Sequence, residues 1–248
     1  MVGELKRTLA GLTDKRTGEN MQYSMETIGL SAFSVFFTQS PSFLAHQRTM
    51  EQNKGSSNAQ TLFQVEKTPS DNHIRDMLDP VEPQAIYPVY DRVYEAFEEQ
   101  GILDTFRWCE VTVTAKGKQI HHNAFITDFT ITDENVAGIV TAGRARWKIE
   151  NENNNTLKKR GYHLEHNFGH GKKHLSSLLA TLNILAFLFH SFLTFCDDAY
   201  RLIRVTLPTR ETFFQDIRAL MRYMCFPSWE ALMDFMMRGL EIGPYEVK

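Results

Sequence analysis

The 248-residue chain is poor in the residues that mark specialised architectures: it holds 3 Cys, 8 Pro and 14 Gly, and its formal net charge is only −3. The cysteines, Cys109, Cys196 and Cys225, are odd in number, far apart and outside any Cys-x-x-Cys pairing. That excludes a disulfide framework and a cysteine zinc site and fits a reducing cytoplasm. Low glycine and proline exclude collagen-like and mucin-like chains. With 18 Phe and 23% charged residues the composition is globular rather than that of a disordered tail. A near-neutral balance means that any nucleic-acid surface must be local. No continuous apolar stretch follows the first basic residues, so neither a signal peptide nor an N-terminal anchor is expected. Leu175 to Phe195 is long enough to span a bilayer, yet it contains Ser176, Ser177, Thr181, Asn183, His190, Ser191 and Thr194. A buried core helix is the expectation, with no membrane partner.

Strand patterning is scarce as well, covering roughly 25 residues. Trp108–Thr114 and Asn123–Ile131 are rich in β-branched and aromatic residues around a turn-like AKGK, which predicts a hairpin or two sheet strands. Elsewhere the spacing is helical. Ser40-Pro41 reads as an N-cap with Pro at the first helical position, Asn53 to Asn58 as a loop, and Ser70 or Asp71 as the start of a helix carrying Ile74, Met77 and Leu78. A further helix is expected from about Tyr90 to Gly101, one from about Glu134 past Lys158, and two opened by Thr209 and Ser228. The fold class is therefore mainly α with a small β element. Trp147, Phe187, Phe189, Phe213, Phe214, Trp229, Met233, Met236 and Met237 are bulky residues at helical spacing and are read as core.

One segment is basic: Arg144 to Lys173 holds eight Lys/Arg against three acids, Glu150, Glu152 and Glu165. On a helix, Arg146 and Glu150 share a face that Lys158 can approach. Spacing alone is satisfied by a solvated helix carrying an Arg146/Glu150 ion pair. His163, His166, His170 and His174 lie beside Glu165; three of them have metal-like spacing, but Gly169 and Gly171 disfavour a continuous helix, so packing, capping or phosphate contact competes with a zinc site.

The composite string AGRARWKIENENNNTLKKRGYHLEHNFGHG, Ala142 to Gly171, resembles the DDE-type insertion-sequence transposases of the IS-four group, whose signature is Tyr-x2-Arg-x3-Glu-x6-Lys. Arg146 and Glu150 match its spacing. The family's Tyr falls at Gly143, and Lys158 lies one residue beyond the family's Lys. The preceding FITDFTITDENVAGIV and the following helix are similar to the family's late strand and its continuation, and PSFLAHQ with Pro69 to Pro83 resembles its N-terminal region. The resemblance implies an RNase H-like catalytic domain and divides the chain into a helical, DNA-end-binding region over 1–107 and the C-terminal part of the catalytic domain over 108–248. It further implies Glu150 as the catalytic carboxylate and partial metal ligand for Mg²⁺ or Mn²⁺, and Arg144, Arg146, Lys158 and Lys159 as contacts to DNA phosphate.

That chemistry needs two aspartates besides the glutamate, to hold a metal pair for in-line attack on a phosphodiester. The family carries its first in an Asp-Gly context, and no Asp-Gly exists in this chain. Asp197-Asp198 follows Glu150 instead of preceding it, while Asp104 and Asp128 read as surface and strand-face residues. Too little chain separates the N-terminal helices from the strands beginning at Trp108 to contain four earlier strands of roughly 5 to 6 residues each. The expectation is a transposase-derived protein with an incomplete RNase H-like remnant and no strand cleavage. The alternatives are a non-catalytic DNA-binding or inhibitory remnant, partnered by transposon inverted-repeat ends, by itself or by an intact transposase, and a decayed reading frame. Residues 1 to 50, with five Lys/Arg and four acids, add little positive charge to an end-binding role.

Overall fold

Side-chain caps set where most helices begin. In the computed structural model the described residues are 2–17, 21–51, 57–102, 107–127, 129–145, 154–158, 162–166 and 168–243. Among them run α1 (Val2–Ala10), α2 (Met25–Phe37), α3 (Phe43–Glu51), α4 (Asn58–Phe63), α5 (Asp71–Leu78), a 3₁₀ turn (Pro83–Ile86) and α6 (Tyr87–Glu99). Strands β1 (Arg107–Ala115) and β2 (Lys118–Thr127) follow, then α7 (Val136–Arg144), α8 (Leu175–Cys196), α9 (Asp198–Thr206), α10 (Arg210–Tyr223) and α11 (Trp229–Gly239). The hydroxyls of Ser24, Ser57, Ser70, Thr209 and Ser228 each accept from a backbone N–H three residues on, as the sequence predicts for Ser70, Thr209 and Ser228. Gly101 occupies the left-handed position closing α6.

Four local expectations are corrected. Ser42, not Ser40, caps α3 by accepting from Ala45 N at 3.1 Å, because the Ser40 hydroxyl is engaged with His46. Asn58 belongs to α4 rather than to a loop. Helix α6 opens at Tyr87 and so includes Pro88, whose missing N–H falls in the first turn where no intrahelical partner exists. The helix expected from Glu134 past Lys158 stops at Arg144, where Ala145 N closes onto Thr141 and Ala142; a separate helical turn occupies 154–158.

The described chain clusters into two compact units, one comprising Met1–Tyr94 with Leu157–Lys248 and the other Glu95–Thr156. This differs from a boundary at 107/108, because helices from both ends of the chain share one core. In the helical unit α2 runs against α8, α1 and α5. Both α2 and α8 are apolar nearly all round, which is the pattern of a core helix with neighbours on several sides. Ile28, Val35, Leu178, Leu185 and Ala186 are fully enclosed, and Phe33 meets Phe189 edge-on at 5.4 Å. Helix α8 has the length and hydropathy of a membrane span; here it is built into this core, burying Asn183 and His190 as well as its leucines.

Several polar groups inside that core are partnered, some of them by segments far away in the chain. His46 Nε2 meets Ser34 Oγ at 2.8 Å, while Nδ1 faces the hydroxyls of Thr38 and Ser40. His190 Nε2 lies 2.8 Å from the Phe37 carbonyl and Nδ1 lies 3.0 Å from the Tyr200 hydroxyl. Burial pushes both imidazoles down to about 3 from an ordinary 6.5, so both are neutral. Asn58, with no exposed surface, donates to the carbonyls of Met221 and Met224 and accepts from Phe226 N, satisfying the C-terminal carbonyls of α10.

In the second unit β1 and β2 form a two-stranded antiparallel sheet with a register irregularity at Val113/Thr114. It packs with α7. Ala96, Phe97, Cys109 and Phe125 are its buried apolar residues among those described, and α7 buries none of its own.

Candidate nucleic-acid interface

Of the residues that the resemblance singles out, Arg146, Glu150 and Lys159 lie outside the described residues, as do Asp104 and Asp128. Arg144 is exposed at the C-terminus of α7, where its charge complements the helix dipole. Gly143, at the position of the family's Tyr, faces the Phe125 ring so closely that a Cβ there would collide with it. A tyrosine at 143 therefore does not fit this packing. Lys158 forms an ion pair with Glu165 at 3.0 Å, with both side chains more than 40% exposed. Such a pair is worth at most about 1 kcal/mol and is screened by salt, so Lys158 is free to exchange partners.

The stretch from Tyr162 to His174 is a structural clasp. Tyr162 and Phe168 are buried, and Phe168 meets Phe36 edge-on at 4.9 Å. Asp79, just after α5, accepts from Lys172 N and Lys173 N at 2.9 and 3.0 Å and more weakly from Leu175 N, so one carboxylate satisfies donors at the start of α8 from across the chain. The Lys173 N–H leads in holding its carboxyl below the usual range. Gly171 makes this docking possible: at φ +65, any side chain there would strike the Asp79 carboxylate. His166 packs edge-on against Phe168, and His163 takes a left-handed conformation with its pKa lowered mainly by burial. Among the described residues no three His, Cys, Asp or Glu side chains converge as a metal site. A cavity of 210 Å³ opens beside it, lined in part by His166, His170 and Asn183. The aspartates at 197 and 198 are occupied: Asp197 caps α9 by accepting from Tyr200 N, and Asp198 pairs with Arg201.

The basic residues that the structure brings together were missed by sequence reading. Arg204 at the end of α9 and Arg210 at the start of α10 are half-buried neighbours. The Arg204 guanidinium lies over the Phe213 ring at 5.3 Å, and that of Arg210 lies over Tyr162 and Phe187 at 5.8 and 5.7 Å. Arg210 donates to the Tyr162 hydroxyl at 3.1 Å, Arg204 donates to the Thr209 carbonyl at 3.2 Å, and Arg218 donates to the carbonyls of Thr38 and Gln39. Burial lowers the pKa of Arg204, and the Arg210 charge lowers it further. None of the three has a carboxylate within ion-pair distance among the described residues. The one available signal was the i, i+6 spacing of Arg204 and Arg210 across Pro208, which means nothing until Tyr162 and Phe187 are packed beneath it.

No family model matches the chain, and no curated protein or solved structure matches it.

Proposed function

We propose that this chain is a transposase-derived DNA-binding protein that does not cut DNA. The reading rests on one observation, the string Ala142 to Gly171, whose Arg146–Glu150 spacing resembles the transposase signature and which overlaps the stretch Arg144 to Lys173 with eight cations against three acids. Two structural facts support it. In the second half of the string Tyr162 and Phe168 are buried in the helical core, and Gly171 leaves room for the Asp79 carboxylate. Among the described residues the strand content is a single hairpin, where a complete RNase H-like sheet needs several strands. In this reading Glu150 is the surviving carboxylate of a site for Mg²⁺ or Mn²⁺ that lacks its two aspartates. One carboxylate cannot hold a metal pair, so attack on a phosphodiester is not supported. Arg144, Arg146, Lys158 and Lys159 face the phosphate backbone, the helices before residue 107 help to engage the inverted-repeat ends, and the protein works in the cytoplasm on nucleoid DNA, alone or beside an intact transposase.

Incubation of the purified chain with an inverted-repeat duplex and Mg²⁺ or Mn²⁺ tests this. The expected result is a retarded, uncut duplex whose affinity falls steeply with salt, because bound cations release counterions from DNA. Metal-dependent nicking that disappears in Glu150→Gln would overturn the non-cleaving assignment, and a salt-independent or absent shift would overturn DNA binding.

A further inference from the structure

We propose that Arg204 and Arg210 form a binding site for a backbone phosphate of nucleic acid, with Tyr162 as the residue that positions Arg210. The source of the phosphate rests on the DNA-binding reading above, and the site itself rests on the arrangement of these side chains.

Two like charges held together in a half-buried setting repel, and a protein that keeps them without a counter-ion stores an attraction for an anion. Acids close in sequence have other partners: Asp197 caps α9, Asp198 pairs with Arg201, and Glu211 accepts from Gln215 Nε2 at 3.0 Å. Each guanidinium has five N–H donors. The described structure engages one bond of Arg210, to Tyr162, and one of Arg204, to Thr209. The remaining donors of both have no protein acceptor among the described residues.

The aromatic floor fixes the geometry. Tyr162, Phe187 and Phe213 lie beneath the planar guanidinium groups, so their orientation is set before any ligand arrives, which suits the bidentate recognition of phosphate oxygens. Tyr162 is itself buried, with its hydroxyl pKa pushed up to about 12, so it stays a neutral acceptor for Arg210. Access is open, because Val205, Thr206, Pro208 and Thr209 between the two arginines are exposed.

The test is fluorescence anisotropy of a labelled duplex at 50 to 200 mM salt, comparing the wild-type chain with Arg204→Gln/Arg210→Gln, together with thermal unfolding of both in inorganic phosphate. The expected variant keeps a cooperative unfolding transition, binds more weakly, and has a log affinity against log salt slope shallower by about 1 to 2, the signature of one or two lost phosphate contacts. Arg204→Lys/Arg210→Lys keeps the charge and loses the fork; it should retain the slope and lose part of the affinity, and it decides the matter if the Gln variant does not fold. Wild-type binding with an unchanged slope in these variants overturns the site and leaves the DNA-binding reading standing. No duplex binding, with inorganic phosphate stabilising the wild type and not the Gln variant, upholds an anion site and overturns DNA as its source. No response to either probe overturns both.

Discussion

The helical unit and the hairpin unit bury their residues in different ways. In the first, α2 and α8 are enclosed on several sides, and even the polar groups His46, Asn58 and His190 are partnered. In the second, four apolar side chains are buried among those described, only Cys109 and Phe125 of them on the two strands, and Ile120 and Phe129 stand open to solvent. Both edges of a two-stranded sheet are unpaired, and such a sheet is marginal without cover. The transposase-like string is divided by the same line: Arg144 to Thr156 falls with the hairpin and Leu157 onward with the helices.

The largest effect should come from cutting the polar ties of the helical unit. Asn58→Ala removes one hydrogen bond each from a buried carbonyl, a part-buried carbonyl and a buried N–H, and a loss of about 2 to 3 kcal/mol is expected in chemical denaturation. A loss below about 1 kcal/mol would mean that the α10 terminus is not anchored from α4. Gly171→Ala should cost about 2 to 4 kcal/mol, since it strains the left-handed backbone and displaces Asp79 from the start of α8. Asp79→Ala, which removes only the cap, should cost about 1 kcal/mol.

Acid should act on the same unit. His46 and His190 are neutral when folded and protonate near 6.5 when unfolded, so between pH 6.5 and about 3 the unfolded state binds more protons. Their contribution is complete above pH 6.5 and declines as pH falls through that window. Thermal midpoints measured from pH 7 to pH 4 should fall, and His190→Gln should flatten the decline; a profile that the variant leaves unaltered would contradict the buried neutral histidine.

The smallest global effect is expected in the hairpin. Phe125→Ala should leave the main unfolding transition within about 0.5 kcal/mol while speeding amide exchange across β1 and β2. A drop shared by α8 amides would show that the two units unfold as one.

Much of the helical framework was legible because its signals are local. Ser70, Thr209 and Ser228 each announce a cap within three residues, and the change of period around Trp108 marks the hairpin. Other features depend on chain segments far apart. Ser40 reads as a cap until His46 claims its hydroxyl, and Asn58 reads as loop although its partners lie more than 160 residues away. The histidines from 163 to 174 have a metal-like spacing, whereas the packing of this stretch rests on Phe168, which meets Phe36, and on Gly171, beside which Asp79 accepts from the Lys172 N–H. Arg204 and Arg210 gain meaning only from the aromatic rings beneath them. The Arg146–Glu150 spacing, legible in the sequence, falls outside the described residues.

Amide hydrogen exchange of the whole chain, with and without an inverted-repeat duplex at low salt, tests the central claim that a helical DNA-binding core has outlasted the catalytic sheet. The account predicts slow exchange in α2 and α8 and fast exchange in the hairpin without DNA, with added protection on the duplex around Arg204 to Arg210 and through Arg144 to Lys173. Fast exchange throughout the helices, or no change in either basic segment when the duplex is added, would contradict it.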